Sequence, residues 1–142
     1  MKLMSFATKT YLLEAPIEIL HEESLEWLDA IEFWKDEVAF FYKLIMEKDR
    51  EDILKFQAKD VDSIEKHLIQ ISVEKLDALK GEVQEHEKFL TKMMEDPKLD
   101  EQLYRARHKQ LATKFHDFES EFKLMKMKIF QMVKSLNKPT RF

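Results

Sequence analysis

The chain lacks the residues that build small covalent sites and tight turns. Its 142 residues include no cysteine, one glycine and three prolines. Without cysteine there are no disulfides, no zinc-finger or iron–sulfur ligation and no thiol nucleophile. A single glycine excludes glycine-rich phosphate loops, and so few turn-forming residues disfavour β-hairpins, sandwiches and barrels. These absences favour a helical protein.

Composition is typical of one globular domain covering residues 1–142. Apolar residues make up 44% and aromatic residues 11%, which suffices for a packed core. The formal charge of −4 gives no reason to expect a nucleic-acid partner. No stretch approaches the ~20 apolar residues of a membrane span, so stable membrane insertion is not expected. Lys9 interrupts any N-terminal signal core, and we therefore expect a cytoplasmic protein.

Apolar residues recur at alternating three- and four-residue intervals in three stretches, the spacing of coiled-coil helices. The pattern predicts helices at about 16–48, 62–95 and 99–136, after an N-terminal extension at 1–15. Short connections make successive helices antiparallel, so the expected fold is all-α, an elongated up-down-up bundle of three long helices. A short helical piece at 53–56, or the N-terminal extension, is an optional fourth layer against the first helix. Near Lys75 the stripe of the second helix changes phase, which should alter its supercoiling locally.

The first helix carries a second apolar row, formed by Phe33, Phe40 and Leu44, over about 120° from the centre of its main seam. Burying one such side chain contributes about 1.5–3 kcal/mol, so a cover for this row is expected. Two covers remain open: an intramolecular fourth layer, or a partner surface on a second copy or another helical protein. We take self-association, as a homodimer, to be the more concrete mechanism.

Charges are unevenly distributed along the chain. The segment 14–37 holds nine acids and one base, whereas six bases and no acids follow Glu121. Acids at a helix start and lysines at a helix end complement the helix dipole. The basic end is also suited to docking on an acidic surface.

Histidines are the only candidates for chemistry. A turn near Pro97 places His86 and His108 in one layer, at the level of Ser24, with His21 one turn away. Neutral imidazoles, paired with Glu82, Tyr104 or water, could fix the register of the helices. Alternatively His86, His108 and His21 ligate a metal, although only Glu18 and His21 match the Glu-x-x-His unit of di-iron bundles.

Nothing in the sequence indicates catalysis. The serines have no nucleophile context, and the carboxylates are typical of solvated helix faces. The expectation is a non-enzymatic protein without a cofactor, acting in protein–protein interaction or in a structural role.

Several short patterns resemble a family of uncharacterised bacterial all-helical proteins. They are the run from His21 to Trp27, the segment 33–37 (Phe-Trp-Lys-Asp-Glu), His67, the pair His86-Glu87, and His116-Asp117 with Phe118. The resemblance spans residues ~20–136. It implies a helical fold and carries no activity.

Overall fold

The computed structural model describes residues 15–46, 58–96 and 100–136, which form three helices and no strand. Helix α1 spans Ile17–Met46. Helix α2 is continuous from 58 to 95, and helix α3 spans Glu101–Leu136. The all-α prediction is confirmed. No helix in these ranges has an apolar stretch long enough to cross a membrane.

Ion pairs between α1 and α2 show that these helices are antiparallel. Lys35 Nζ lies 2.6 Å from an Asp77 carboxylate oxygen, and Lys80 Nζ lies 2.9 Å from Glu32. Residue numbers along α2 therefore increase as those along α1 decrease, so the two helices run in opposite directions. Such exposed pairs contribute little energy each, about 0–1 kcal/mol, but they mark the register.

Helix α3 returns alongside α1 in the same direction. Trp27 stacks on Phe115 at a ring-centroid distance of 5.0 Å, and Phe41 meets Phe130 edge-on at 5.4 Å. Residues on α1 therefore lie level with residues about 88 positions later on α3. The three directions together give the up-down-up bundle.

The helix ends differ from the predicted bounds by a few residues, and most at the start of α2. The predicted start was at about residue 62, whereas the helix begins at Ala58. Before Pro97, Asp96 is extended, as proline requires of the preceding residue. Asp100 then caps α3, accepting a 2.8 Å hydrogen bond from the Gln102 N–H. The N-terminal extension and the 53–56 piece lie outside the described residues.

The phase change predicted near Lys75 is a π-helical segment within α2. It spans Ile71–Leu76, and both of its end residues are fully buried. Five residues apart in a regular α-helix, these two side chains would diverge by ~140°. The wider π turn brings both to the core side, because its hydrogen bonds run from residue i to i+5.

The core is a seam of apolar side chains from all three helices, with one large cluster and a smaller one formed by Leu20, Leu90 and Tyr104. Aromatic rings dominate its centre, where Trp34 contacts Phe118 and Phe122 at centroid distances of 4.9 and 6.3 Å. The largest fully buried side chains are Trp27, Tyr104, Phe115, Phe122, Leu20, Ile31, Ile45, Leu68, Ile71, Leu76, Ile129 and Val83. The seam holds the helices together and fixes which faces remain outside.

Replacing Gly81 by alanine should stabilise the protein. A Cβ built at Gly81 meets no atom within 4 Å, and its position is inside α2. The expected gain in the free energy of unfolding is about 1 kcal/mol, since glycine is the poorer helix former. Urea unfolding followed by circular dichroism measures it, and a loss of stability would contradict a regular helix at this position.

Candidate functional sites: a buried histidine layer and an exposed apolar face

His86 and His108 meet inside the bundle, as the hairpin register predicts. Both are almost fully buried, and His86 Nε2 lies 3.0 Å from His108 Nδ1. The other nitrogen of His108, Nε2, lies 2.8 Å from a carboxylate oxygen of Glu23 on α1. A chain of hydrogen bonds therefore joins all three helices through two imidazoles and one carboxylate.

One tautomer assignment satisfies this chain when both imidazoles are neutral. The Glu23 carboxylate can only accept, so His108 carries its proton on Nε2. His108 Nδ1 is then an acceptor, and His86 must donate from Nε2. The remaining nitrogen of His86, Nδ1, is left with a bare lone pair, and it is buried without a partner.

Aromatic rings enclose the two imidazoles. Tyr104 stacks on His86 with a centroid distance of 4.2 Å and an interplanar angle of 3°. Trp27 stacks on His108 at 4.5 Å. This apolar surrounding determines the charge of His86. Burial, followed by electrostatic interactions with His108 and Arg107, lowers the pKa of His86 to about 3. His86 is therefore neutral at physiological pH.

Further polar groups of the same layer are incompletely paired. Burial and the Glu87 charge raise the pKa of the Tyr104 hydroxyl, which stays protonated. The neighbouring Ser24 hydroxyl acts to lower that pKa, but it donates its own 3.2 Å hydrogen bond to the Leu20 carbonyl. Within the described residues, the buried polar atoms without a partner in this layer are Trp27 Nε1, His86 Nδ1, Glu87 Oε1 and the Tyr104 hydroxyl. Such a concentration of unpaired buried polar atoms in one layer is uncommon in folded proteins.

His21 does not join the two buried histidines. It is half-exposed, and its Nδ1 lies 2.5 Å from Glu87 Oε2 on α2. Where the structure describes the chain, no three histidine, aspartate or glutamate side chains converge to hold a metal ion. The prediction that Glu82 pairs with a seam histidine is wrong, because Glu82 binds Lys114 at 2.5 Å.

The other two histidines lie away from this layer. His67 Nε2 is 3.1 Å from Glu121, which also receives Lys75 Nζ at 2.5 Å. Partial burial acts to raise the pKa of Glu121, but hydrogen bonds from Lys75 and His67 outweigh it, so that the pKa is lowered. This cluster ties α2 to α3 beside the π-helical segment. His116 is exposed.

The apolar row of α1 lies at the edge of the bundle, beside α3. Phe33 and Phe40 are 56% and 58% exposed, and Leu44 is partly buried. Phe40 contacts the buried Phe41 at 5.5 Å, and Phe41 also contacts Phe130, which is itself 55% exposed. The row thus continues from α1 onto α3. We call Phe33, Phe40, Leu44 and Phe130 the apolar face.

Sequence reasoning did not identify Glu23 and Glu87 as the histidine partners, or Phe130 as part of the apolar face. Glu23 and Glu87 lie in helical stretches that contain many charged residues, with no spacing that distinguishes them from solvated ones. Phe130 lies on the polar face of its own helix, among lysines. The rotation of each helix about its own axis determines which groups these three side chains face.

No family model, curated protein or solved structure matches this chain. The resemblance to bacterial helical proteins gains no support from these comparisons. Function must be argued from the geometry of the histidine layer and the apolar face.

Acid should destabilise the protein through His86. Its pKa is near 6.5 in the unfolded chain and about 3 in the folded one, so the unfolded state binds more protons between these values. The full stability is present above pH 6.5 and is lost as the pH falls towards 3. Chemical unfolding at pH 7.5, 6.0 and 5.0 should show a falling free energy of unfolding.

His86→Gln should flatten this dependence, because it removes the group that titrates. The exposed His116→Gln serves as its control and should keep the dependence of the unaltered protein. A free energy of unfolding that stays constant from pH 7.5 to 5.0 would contradict a buried, neutral His86.

Proposed function

We propose that the protein is a non-enzymatic interaction module that self-associates through the apolar face. The observation that carries this proposal is the exposure of three phenylalanine rings on one side of the bundle, with the rings of Phe40 and Phe130 both resting on Phe41. Isolated exposed apolar residues are ordinary, but adjoining ones indicate an interaction surface.

The distribution of charges around the apolar face favours a second copy of this chain as the partner that covers it. Around the apolar face, α1 presents exposed acids, and α3 presents exposed bases at the opposite edge. The acids are Glu26, Asp29 and Asp36, and the bases are Lys123 and Lys134. A surface that is acidic along one edge and basic along the other is complementary to itself.

This distribution also selects the symmetry of the dimer. A two-fold axis parallel to the helices lays α1 of one protomer on α3 of its partner, and acids then meet bases. A two-fold axis perpendicular to the helices would instead lay α1 on α1 and set acids against acids. Asp36 and Lys123 lie at the same level along the bundle, 87 positions apart, so they meet across the parallel arrangement.

The apolar contacts and the ion pairs of this interface contribute different amounts of binding free energy. Burial of one phenylalanine contributes about 1.5–3 kcal/mol, whereas an exposed ion pair contributes about 0.2–1 kcal/mol. The rings therefore supply the affinity, and the charges determine the orientation and the partner.

A metal-binding role for His86, His108 and His21 has less support. His86 and His108 bond to each other, and His21 bonds to Glu87. Elemental analysis of the purified protein tests that alternative directly.

Truncating the apolar face should weaken self-association. Phe40→Ser and Phe130→Ser should each raise the dimer Kd by at least about tenfold, since each removes a ring from both copies. Sedimentation equilibrium over a wide concentration range measures this. Met94→Ser is a matched control, because Met94 is 76% exposed at the far end of α2. A wild-type protein that stays monomeric at the highest concentration would contradict the proposal.

Exchanging charges should test the symmetry. Asp36→Lys and Lys123→Asp should each weaken self-association, because each sets like charges against each other across the interface. An equimolar mixture of the two variants should associate more strongly than either alone, since the mixed dimer contains an inverted but favourable pair. Equal association of the mixture and the separate variants would argue against the parallel arrangement while leaving the role of the rings standing.

A further inference from the structure

The outward side of α3, in its C-terminal third, carries two apolar side chains that the neighbouring helices leave uncovered. Leu124 is 62% exposed and Met127 is 50% exposed. They lie one helical turn apart, on the side of α3 that is turned away from the buried stripe containing Phe122 and Ile129. Neither belongs to the apolar face, so the proposed self-association does not use them.

Lysines surround these two side chains. Lys123 lies one turn before Met127, Lys128 lies one turn after Leu124, and Lys134 lies two turns after Met127. All three lysines are exposed, and no carboxylate of the described residues pairs with any of them. Most of the other described lysines do bind an acid. We call Leu124, Met127, Lys123, Lys128 and Lys134 the basic outer face.

The carboxylates that border the basic outer face are themselves compensated. On the side of α2, Glu121 receives Lys75 Nζ at 2.5 Å. On the side of α1, Glu37 lies 3.2 Å from Lys126 Nζ. Residues 38–46 of α1, which are level with this part of α3, contain no acid. The basic outer face therefore has surplus positive charge, although the net charge of the chain is −4.

An anionic lipid surface matches both chemical components of this face. Lysines are attracted to negatively charged headgroups, and apolar side chains between them enter the boundary between headgroups and acyl chains. A nucleic acid would use the lysines but would gain little from exposed leucine and methionine. A bound peptide helix requires a groove, whereas the outward side of a single helix is convex and suits a flat surface.

We propose that the basic outer face docks this protein on membranes that contain anionic phospholipids. Helix α3 lies along the membrane surface without crossing it, Leu124 and Met127 enter the headgroup boundary, and the lysines contact lipid phosphates. Lys123 and Lys134 border both this face and the apolar face, but Leu124, Met127 and Lys128 belong to this face alone. Membrane docking and self-association can therefore fail independently.

Co-sedimentation of the full chain with vesicles at pH 7.5 tests the proposal. Vesicles of phosphatidylserine and phosphatidylcholine in equal parts should bind the protein saturably. Vesicles of phosphatidylcholine alone should bind it at least about tenfold more weakly, since each lysine near an anionic surface strengthens binding about fivefold. Equal binding to both kinds of vesicle, or binding to neither, would overturn the proposal.

Matched variants show whether binding depends on this face. Lys128→Gln should weaken binding to the anionic vesicles about fivefold. Lys109→Gln makes the same charge change at an exposed lysine nearer the other end of α3 and should leave binding unchanged. Equal weakening by both variants would mean that the vesicles respond to overall charge, contrary to the proposal.

Leu124→Ser separates a lipid surface from any other polyanion. It should weaken binding to the anionic vesicles about tenfold, because it removes an apolar side chain from the headgroup boundary. Met94→Ser, a change at an exposed residue of α2, should not. Sedimentation equilibrium of Leu124→Ser should match that of the unaltered protein, since Leu124 lies outside the apolar face. If Lys128→Gln weakens vesicle binding and Leu124→Ser does not, the face is a general anion-binding surface and the lipid proposal is wrong.

Discussion

Burial of one seam of side chains, drawn from three long helices, is the constraint from which the other features follow. Rings and branched aliphatic groups make up most of this seam in the part of the chain that the structure describes. Each helix can turn only one stripe towards it. Every remaining face must lie in water, in a groove between two helices, or against another molecule.

A polar layer interrupts this seam near one end. Two imidazoles, a tyrosine and a serine replace apolar groups there. An apolar seam with a regular heptad tolerates a slip by one repeat, whereas a hydrogen-bonded layer does not, because slipping would leave buried donors and acceptors unpaired. The bond between His86 and His108, extended to Glu23, therefore specifies one register for all three helices. The same layer leaves several polar atoms unsatisfied, which is uncommon where the only role is structural.

The three outer grooves of the bundle are chemically different. Ion pairs from α1 to α2 span the first, including those of Lys35 and Lys80. The second, between α2 and α3, contains a cleft with surplus positive charge. The third, between α1 and α3, presents exposed phenylalanines. The exposed phenylalanines of the third groove are the basis of the proposed self-association.

The spacing of apolar residues was enough to predict the helices, their order and most of their seam residues, because a 3-4 repeat of apolar side chains is typical of an amphipathic α-helix. It also placed His86 beside His108 and located the irregular turn of α2, since both depend on counting along the chain. The contacts between groups on different helices could not be predicted in this way: Glu23 with His108, Glu87 with His21, and Phe130 with the row on α1. Those encounters depend on how far each helix is rotated about its own axis. That rotation results from packing the whole seam at once, and no local spacing records it.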